Sequence, residues 1–127
     1  MRVFKTKRFG RFARKTSIGD AVLHAAVAAV QQGLVDADLG GGVLKLRIAR
    51  QGEGKSGGYR TIVLFRAGTR AVFAYGFAKN ERSNIRDDEV ADFRKLAAAI
   101  LAYDDSDLAI AIETGALIEV SDAQNLS

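Results

Sequence analysis

The sequence predicts an α+β fold, one domain with helices packed on an antiparallel sheet. Three observations carry that reading. Apolar and polar residues alternate strictly over Val43–Arg50, and two further β-type runs, Tyr59–Arg66 and Arg70–Lys79, come after it in succession. Two segments, 21–30 and 90–103, instead carry helical spacing. No repeat or linker interrupts the 127 residues, a length that suits a single core.

Taken in order, residues 2–15 alternate in β fashion and lack a helix starter, which predicts a basic first strand, bent at Gly10. Ser17, with Asp20 three residues on, has the form of a capping box, and an Ala-rich helix over Ala21–Val30 is expected, closed by Gly33. His24 falls within that helix as a packing residue. After Gly40, Gly41 and Gly42, the strand Val43–Arg50 presents Leu44, Leu46 and Ile48 on a core face and Lys45, Arg47 and Ala49 on the other. A loop over Gln51–Gly58 leads to the remaining strands of a meander, joined at Ala67–Thr69. A second helix starts near Asp87 or Asp88, where acidic residues suit the helix dipole, and Val90, Phe93, Leu96, Ala97, Ile100 and Tyr103 form its core stripe. Ser106 is the expected cap of a short helix over Asp107–Thr114, and Ala116–Val120 reads as a terminal strand.

Composition removes several function classes. With no cysteine and a single histidine, the chain has neither thiolate chemistry nor an imidazole-rich metal or triad site, and no cofactor is expected. The longest apolar run, Leu96–Ala102, is too short to span a bilayer, and the basic N-terminus lacks the apolar stretch of a signal peptide. A cytoplasmic protein with no membrane partner is expected.

The net charge of +4 is segregated. Residues 1–15 hold seven Lys or Arg and no acid; residues 45–70 hold seven against Glu53 alone; residues 96–127 hold six acids and no base. Both basic blocks are interleaved with aromatics, Phe4, Phe9 and Phe12 in one and Tyr59 and Phe65 in the other. Cations for phosphates beside rings for bases are the footprint of a nucleic-acid binder. The segment Ala49–Ser56, ARQGEGKS, mimics a nucleotide-triphosphate loop. That loop requires a helix directly after it, whereas the next residues here, GGYRTIVLF, are Gly-broken and then β-branched. Its glycines and Lys55 can instead present amides and a charge to a phosphodiester.

RNA cleavage through the 2′-hydroxyl needs a base, cations for the charge developing on the phosphate, and an acid for the leaving oxygen. Lys45 and Arg47 share a strand face, Arg60 opens the neighbouring strand, and Tyr75, Phe77 and Lys79 share a face of the next. With no usable histidine, the acid and base come from Lys, Tyr, Glu or the RNA itself. Glu81 beside Arg82 reads as a surface ion pair.

The segments LGGGVLKLRIARQGEGKSGGYRTIVLF and YGFAKNERSNIRDDEVADFRKLAAAIL, with the opening FKTKRFGRFARK and the ending ETGALIEV, resemble the RelE/HigB-type toxins of type II toxin–antitoxin modules, within the RelE/ParE superfamily. The resemblance runs through nearly the whole chain. It implies a twisted antiparallel sheet and a toxin that enters the A site of the 70S ribosome and cuts translated mRNA, with no metal needed; the sequence leaves the oligomeric state open, a monomer being expected for the free toxin. It also implies a co-encoded antitoxin, in this branch a helix-turn-helix protein of HigA type. The family's basic strand maps onto Lys45 and Arg47, its Gly-rich loop onto Lys55, Gly57 and Gly58, its strand-opening arginine onto Arg60 and its final-strand lysine onto Lys79. Several relatives place His or a late Tyr at the end of the sheet, where this chain has Phe77, Ala78, Lys79 and Asn80. Relatives of the same fold poison gyrase without cutting RNA, and an inactive RNA-binding module is the other alternative. The expected site is therefore Arg47, Lys55 and Arg60 on the scissile phosphate with Lys79 and Tyr75 assisting proton transfer, and RNA contacts from Lys45, Arg50, Gly57, Gly58, Arg66, Lys5, Lys7, Arg8 and Arg11.

Overall fold

A computed structural model of the chain describes residues 1–50 and 54–121, without the side chains of 50 and 54–57. Its elements are β1 (Arg2–Thr6), α1 (Lys7–Thr16), α2 (Asp20–Gln31), β2 (Ala37–Asp38), β3 (Val43–Arg50), β4 (Gly54–Arg66), β5 (Arg70–Ala78), α3 (Asp87–Ile100), α4 (Asp105–Glu113) and β6 (Leu117–Glu119). The strands form one sheet in the order β2-β3-β4-β5-β1-β6. The α+β class and the β3-β4-β5 meander are as the sequence predicts. The β1–β5 pairing is parallel, so the sheet is mostly rather than wholly antiparallel. No helix among the described residues is long and apolar enough to cross a membrane.

The N-terminal strand is shorter than expected, because residues 7–16 are helical. The Thr6 hydroxyl accepts the Phe9 amide at 3.1 Å and so caps α1, and Phe9 and Ala13, four residues apart, share its buried side. Alternation through residue 6 masks this change of period. Ser17 does not cap the next helix: it ends α1 in the left-handed region at φ 58°, and α2 starts from Gly19 without a side-chain cap. The last helix likewise begins earlier than expected, with Asp104 rather than Ser106 accepting the Asp107 amide at 2.8 Å. Strand β4 starts at Gly54, so most of the expected loop is strand; residues 51–53 lie outside the described residues.

Both faces of the sheet are covered, each by one pair of helices. Between α1, α2 and the sheet, Phe9, Leu23 and Val27 pack on Val3, Leu46, Ile48, Val63 and Phe73. Between α3, α4 and the sheet, Phe93, Ala97 and Ile100 pack on Phe4, Val43, Ile62, Leu64 and Val72. Leu96, expected in the α3 stripe, faces outward at 38% exposure. His24 is a packing residue, its Nε2 2.9 Å from the Val120 carbonyl. Gly76 lets the Phe12 ring pack directly on β5, since a Cβ there would stand 2.4 Å from Phe12 Cε2. At the lower end of the sheet, Arg70 donates to the carbonyls of Ile100 and Tyr103 at 2.8 and 2.9 Å, satisfying the end of α3.

Candidate nucleic-acid interface

On the face packed by α3 and α4, the ends of β3, β4 and β5 bring cations and aromatics together, with Phe93 of α3 stacked on Tyr75 at 5.9 Å. The register builds this surface in two rungs. Arg47 lies opposite Arg60, which lies opposite Phe77; Lys45 lies opposite Ile62, which lies opposite Tyr75. Directly paired residues project to the same side of a sheet, so Lys45, Arg47, Arg60, Tyr75 and Phe77 share one surface. Arg47 is exposed and Arg60 is 7% exposed. Asp36 steadies Arg47, with its carboxylate 3.6 Å from Nε and also accepting the Arg47 amide.

Tyr75 is enclosed by two arginines. The Arg8 guanidinium lies 4.2 Å from its ring centroid, and Arg82 donates to its hydroxyl at 3.0 Å. Arg82 is in turn held by both oxygens of Glu89 and donates to the Asn84 carbonyl at 2.8 Å. The Arg82 hydrogen bond, then the Arg86 amide, lower the Glu89 carboxyl from 4.5 to about 2, and the hydrogen bonds to Glu89, then Tyr75, hold Arg82 firmly charged. Lys45 reaches Asn84 Oδ1 at 3.4 Å. Sequence reasoning misses Arg82 because its neighbour Glu81 looks like its partner; the true partner is Glu89, seven residues on in the first turn of α3.

The other expected residues are dispersed. Lys79 is exposed in the turn just beyond β5. Gly57 and Gly58 lie within β4, whereas the side chains of Arg50 and Lys55 fall outside the described residues. Because a strand, not a helix, occupies 54–66, the helix that a nucleotide-triphosphate loop requires is absent. Arg66 belongs to the opposite end of β4, roughly 20 Å from Arg60 along the strand, where it donates to the Leu101 carbonyl at 3.4 Å. Lys5 turns to the α2 side and pairs with Asp20 at 3.1 Å. Lys7, Arg8 and Arg11 are exposed on α1, not on a strand.

Guanidiniums from two adjacent strands beside a hydroxyl can bind a phosphodiester, neutralise charge on it and supply a proton. In sequence comparison, the family described as RelE toxin of the RelE / RelB toxin–antitoxin system matches residues 1–120. No curated protein matches the chain.

Proposed function

This chain belongs to the RelE family of toxin–antitoxin toxins, and we propose that it arrests translation as a ribosome-dependent endoribonuclease acting on mRNA. The observation that carries the reading is the Arg47–Arg60 rung beside Tyr75. Arg47 and Arg60, with Lys45, bind the scissile phosphate and offset the charge that grows on it as the 2′-oxygen attacks, a task in which the sequence also enlists Lys55. Arg donors suit this task because they stay protonated and grip two phosphate oxygens at once. The Tyr75 oxygen already accepts a hydrogen bond from Arg82, so its own proton is left to be donated to the leaving 5′-oxygen. Lys79 assists proton transfer from the rim. Lys7, Arg8 and Arg11 supply contacts to ribosomal RNA, and Gly57, Gly58 and Arg50 border the RNA path.

The family implies an antitoxin partner; a helix-turn-helix protein encoded beside the toxin is the form we propose. Attack by the 2′-hydroxyl breaks the P–O5′ bond, leaving a 2′,3′-cyclic phosphate and a 5′-hydroxyl. End-group analysis of RNA from induced cells tests this reading. New 5′ ends that accept phosphate directly from a polynucleotide kinase support it, whereas new ends already bearing a 5′-phosphate contradict it.

A further inference from the structure

On the other face of the same sheet end, α1 and the turn after β5 enclose a second, polar pocket of about 250 Å³ that includes Phe12, Lys15, Tyr59, Asn80 and Glu81. That volume is below the range of roughly 300–1,000 Å³ typical of drug-sized ligands and suits a single planar ring system. Phe12 and Tyr59 meet edge to face, with centroids 5.5 Å apart, and form its apolar wall. Asn80 and Glu81 stand on the turn, which is pinned by the Glu81 amide donating to the Ala78 carbonyl at 3.0 Å.

Glu81 is the informative residue. Arg82, the nearest cation in sequence, is engaged by Glu89, Tyr75 and Asn84, so Glu81 makes no ion pair among the described residues. Its exposed carboxylate is therefore open to hydrogen-bond donors on a ligand in the pocket, and the bases differ sharply in what they present. Guanine offers two adjacent donors, N1–H and the 2-amino group, which match the two oxygens of a carboxylate. Adenine sets an acceptor nitrogen beside its amino group, and uracil and cytosine each offer one donor group on that edge. Asn80 and Lys15, which also line the pocket, carry donors of the kind that the O6 and N7 acceptors of guanine require.

We infer that this pocket is a guanine-binding subsite that receives a base of the RNA strand whose phosphate lies on the Arg47–Arg60 surface. The inference rests on the ribonuclease reading for its ligand. Tyr59 and Arg60 are consecutive on β4 and therefore project to opposite faces, and Tyr59 is paired with Ala78 at the end of β5. The two sites therefore lie on opposite faces of one end of the sheet, beside the turn that carries Lys79.

The test is binding of short oligoribonucleotides that differ at one position, guanosine, inosine or adenosine, to the purified protein and to Glu81→Gln, with cut sites mapped separately on mRNA. Inosine lacks only the 2-amino group. The guanosine oligomer is expected to bind about tenfold more tightly than the other two, a modest value for one bidentate contact, and Glu81→Gln is expected to level the three. Equal binding of all three by the unaltered protein, or unchanged discrimination in Glu81→Gln, overturns the subsite. Discrimination without any mRNA cleavage upholds the subsite and removes the ribonuclease reading; cleavage without discrimination does the reverse.

Discussion

Arg47 and Arg60 stand directly opposite each other on β3 and β4, two guanidiniums on one rung of the sheet. Asp36 lies beside Arg47, and a phosphate bound across the rung would interact favourably with both guanidiniums.

Arg60→Ala is expected to abolish growth inhibition, with at least about a hundredfold loss of cleavage, the usual scale for losing a donor to developing negative charge. Circular dichroism and antitoxin binding should be retained. Arg60→Lys keeps the charge without the fork and should recover only part of the activity. Persistent toxicity in Arg60→Ala would remove this residue from the site.

Gly76→Ala tests the placement of α1. The new methyl would meet the Phe12 ring at 2.4 Å, so a loss of about 1–3 kcal/mol in urea unfolding is expected. Adding Phe12→Leu should restore most of it. No loss in the single variant would mean that α1 does not lie on β5.

Acid should loosen the Arg82–Glu89 clamp. The Glu89 carboxyl is depressed from 4.5 to about 2 in the fold, so its stabilising contribution is complete above pH 4.5 and is lost as pH falls toward 2. Glu89→Gln should therefore flatten the pH dependence of the urea midpoint within that window. An identical acid profile in the variant would contradict the clamp.

Lys7 and Arg11 are exposed on α1, whereas Lys5 is tied to Asp20. Replacing Lys7 and Arg11 with Gln should weaken ribosome binding and reduce the slope of log K against log salt by about 1.4 to 1.8. Lys5→Gln should leave that slope unchanged and cost only stability. A slope that moves with Lys5 and not with the pair would reverse these roles.

The parts of the fold legible in the sequence are those in which one period persists. Leu44, Leu46 and Ile48 face the core and Lys45 and Arg47 face outward, because β3 alternates from Leu44 to Ile48. Phe93, Ala97 and Ile100 fix α3 in the same way. Helix α1 is hidden because β1 passes into it without a break, Thr6 being both the last strand residue and the cap. Strand β2, two residues long, leaves no periodic signal at all. In the candidate site, Lys45 and Arg47 are readable because they alternate with Leu44, Leu46 and Ile48, whereas Arg60 and Tyr75 are placed beside them by the pairing of β4 and β5, strands buried on both faces. Arg8 and Arg82 join them through tertiary contacts with Tyr75, which local spacing does not encode.

The central claim is cleavage of mRNA on the ribosome, and primer extension tests it most directly. One mRNA is incubated with the purified toxin in parallel, with and without translating ribosomes. Cuts in register with codons, confined to the translating sample and lost in Arg60→Ala, are expected. No cuts in either sample would contradict the account and turn attention to gyrase as the target.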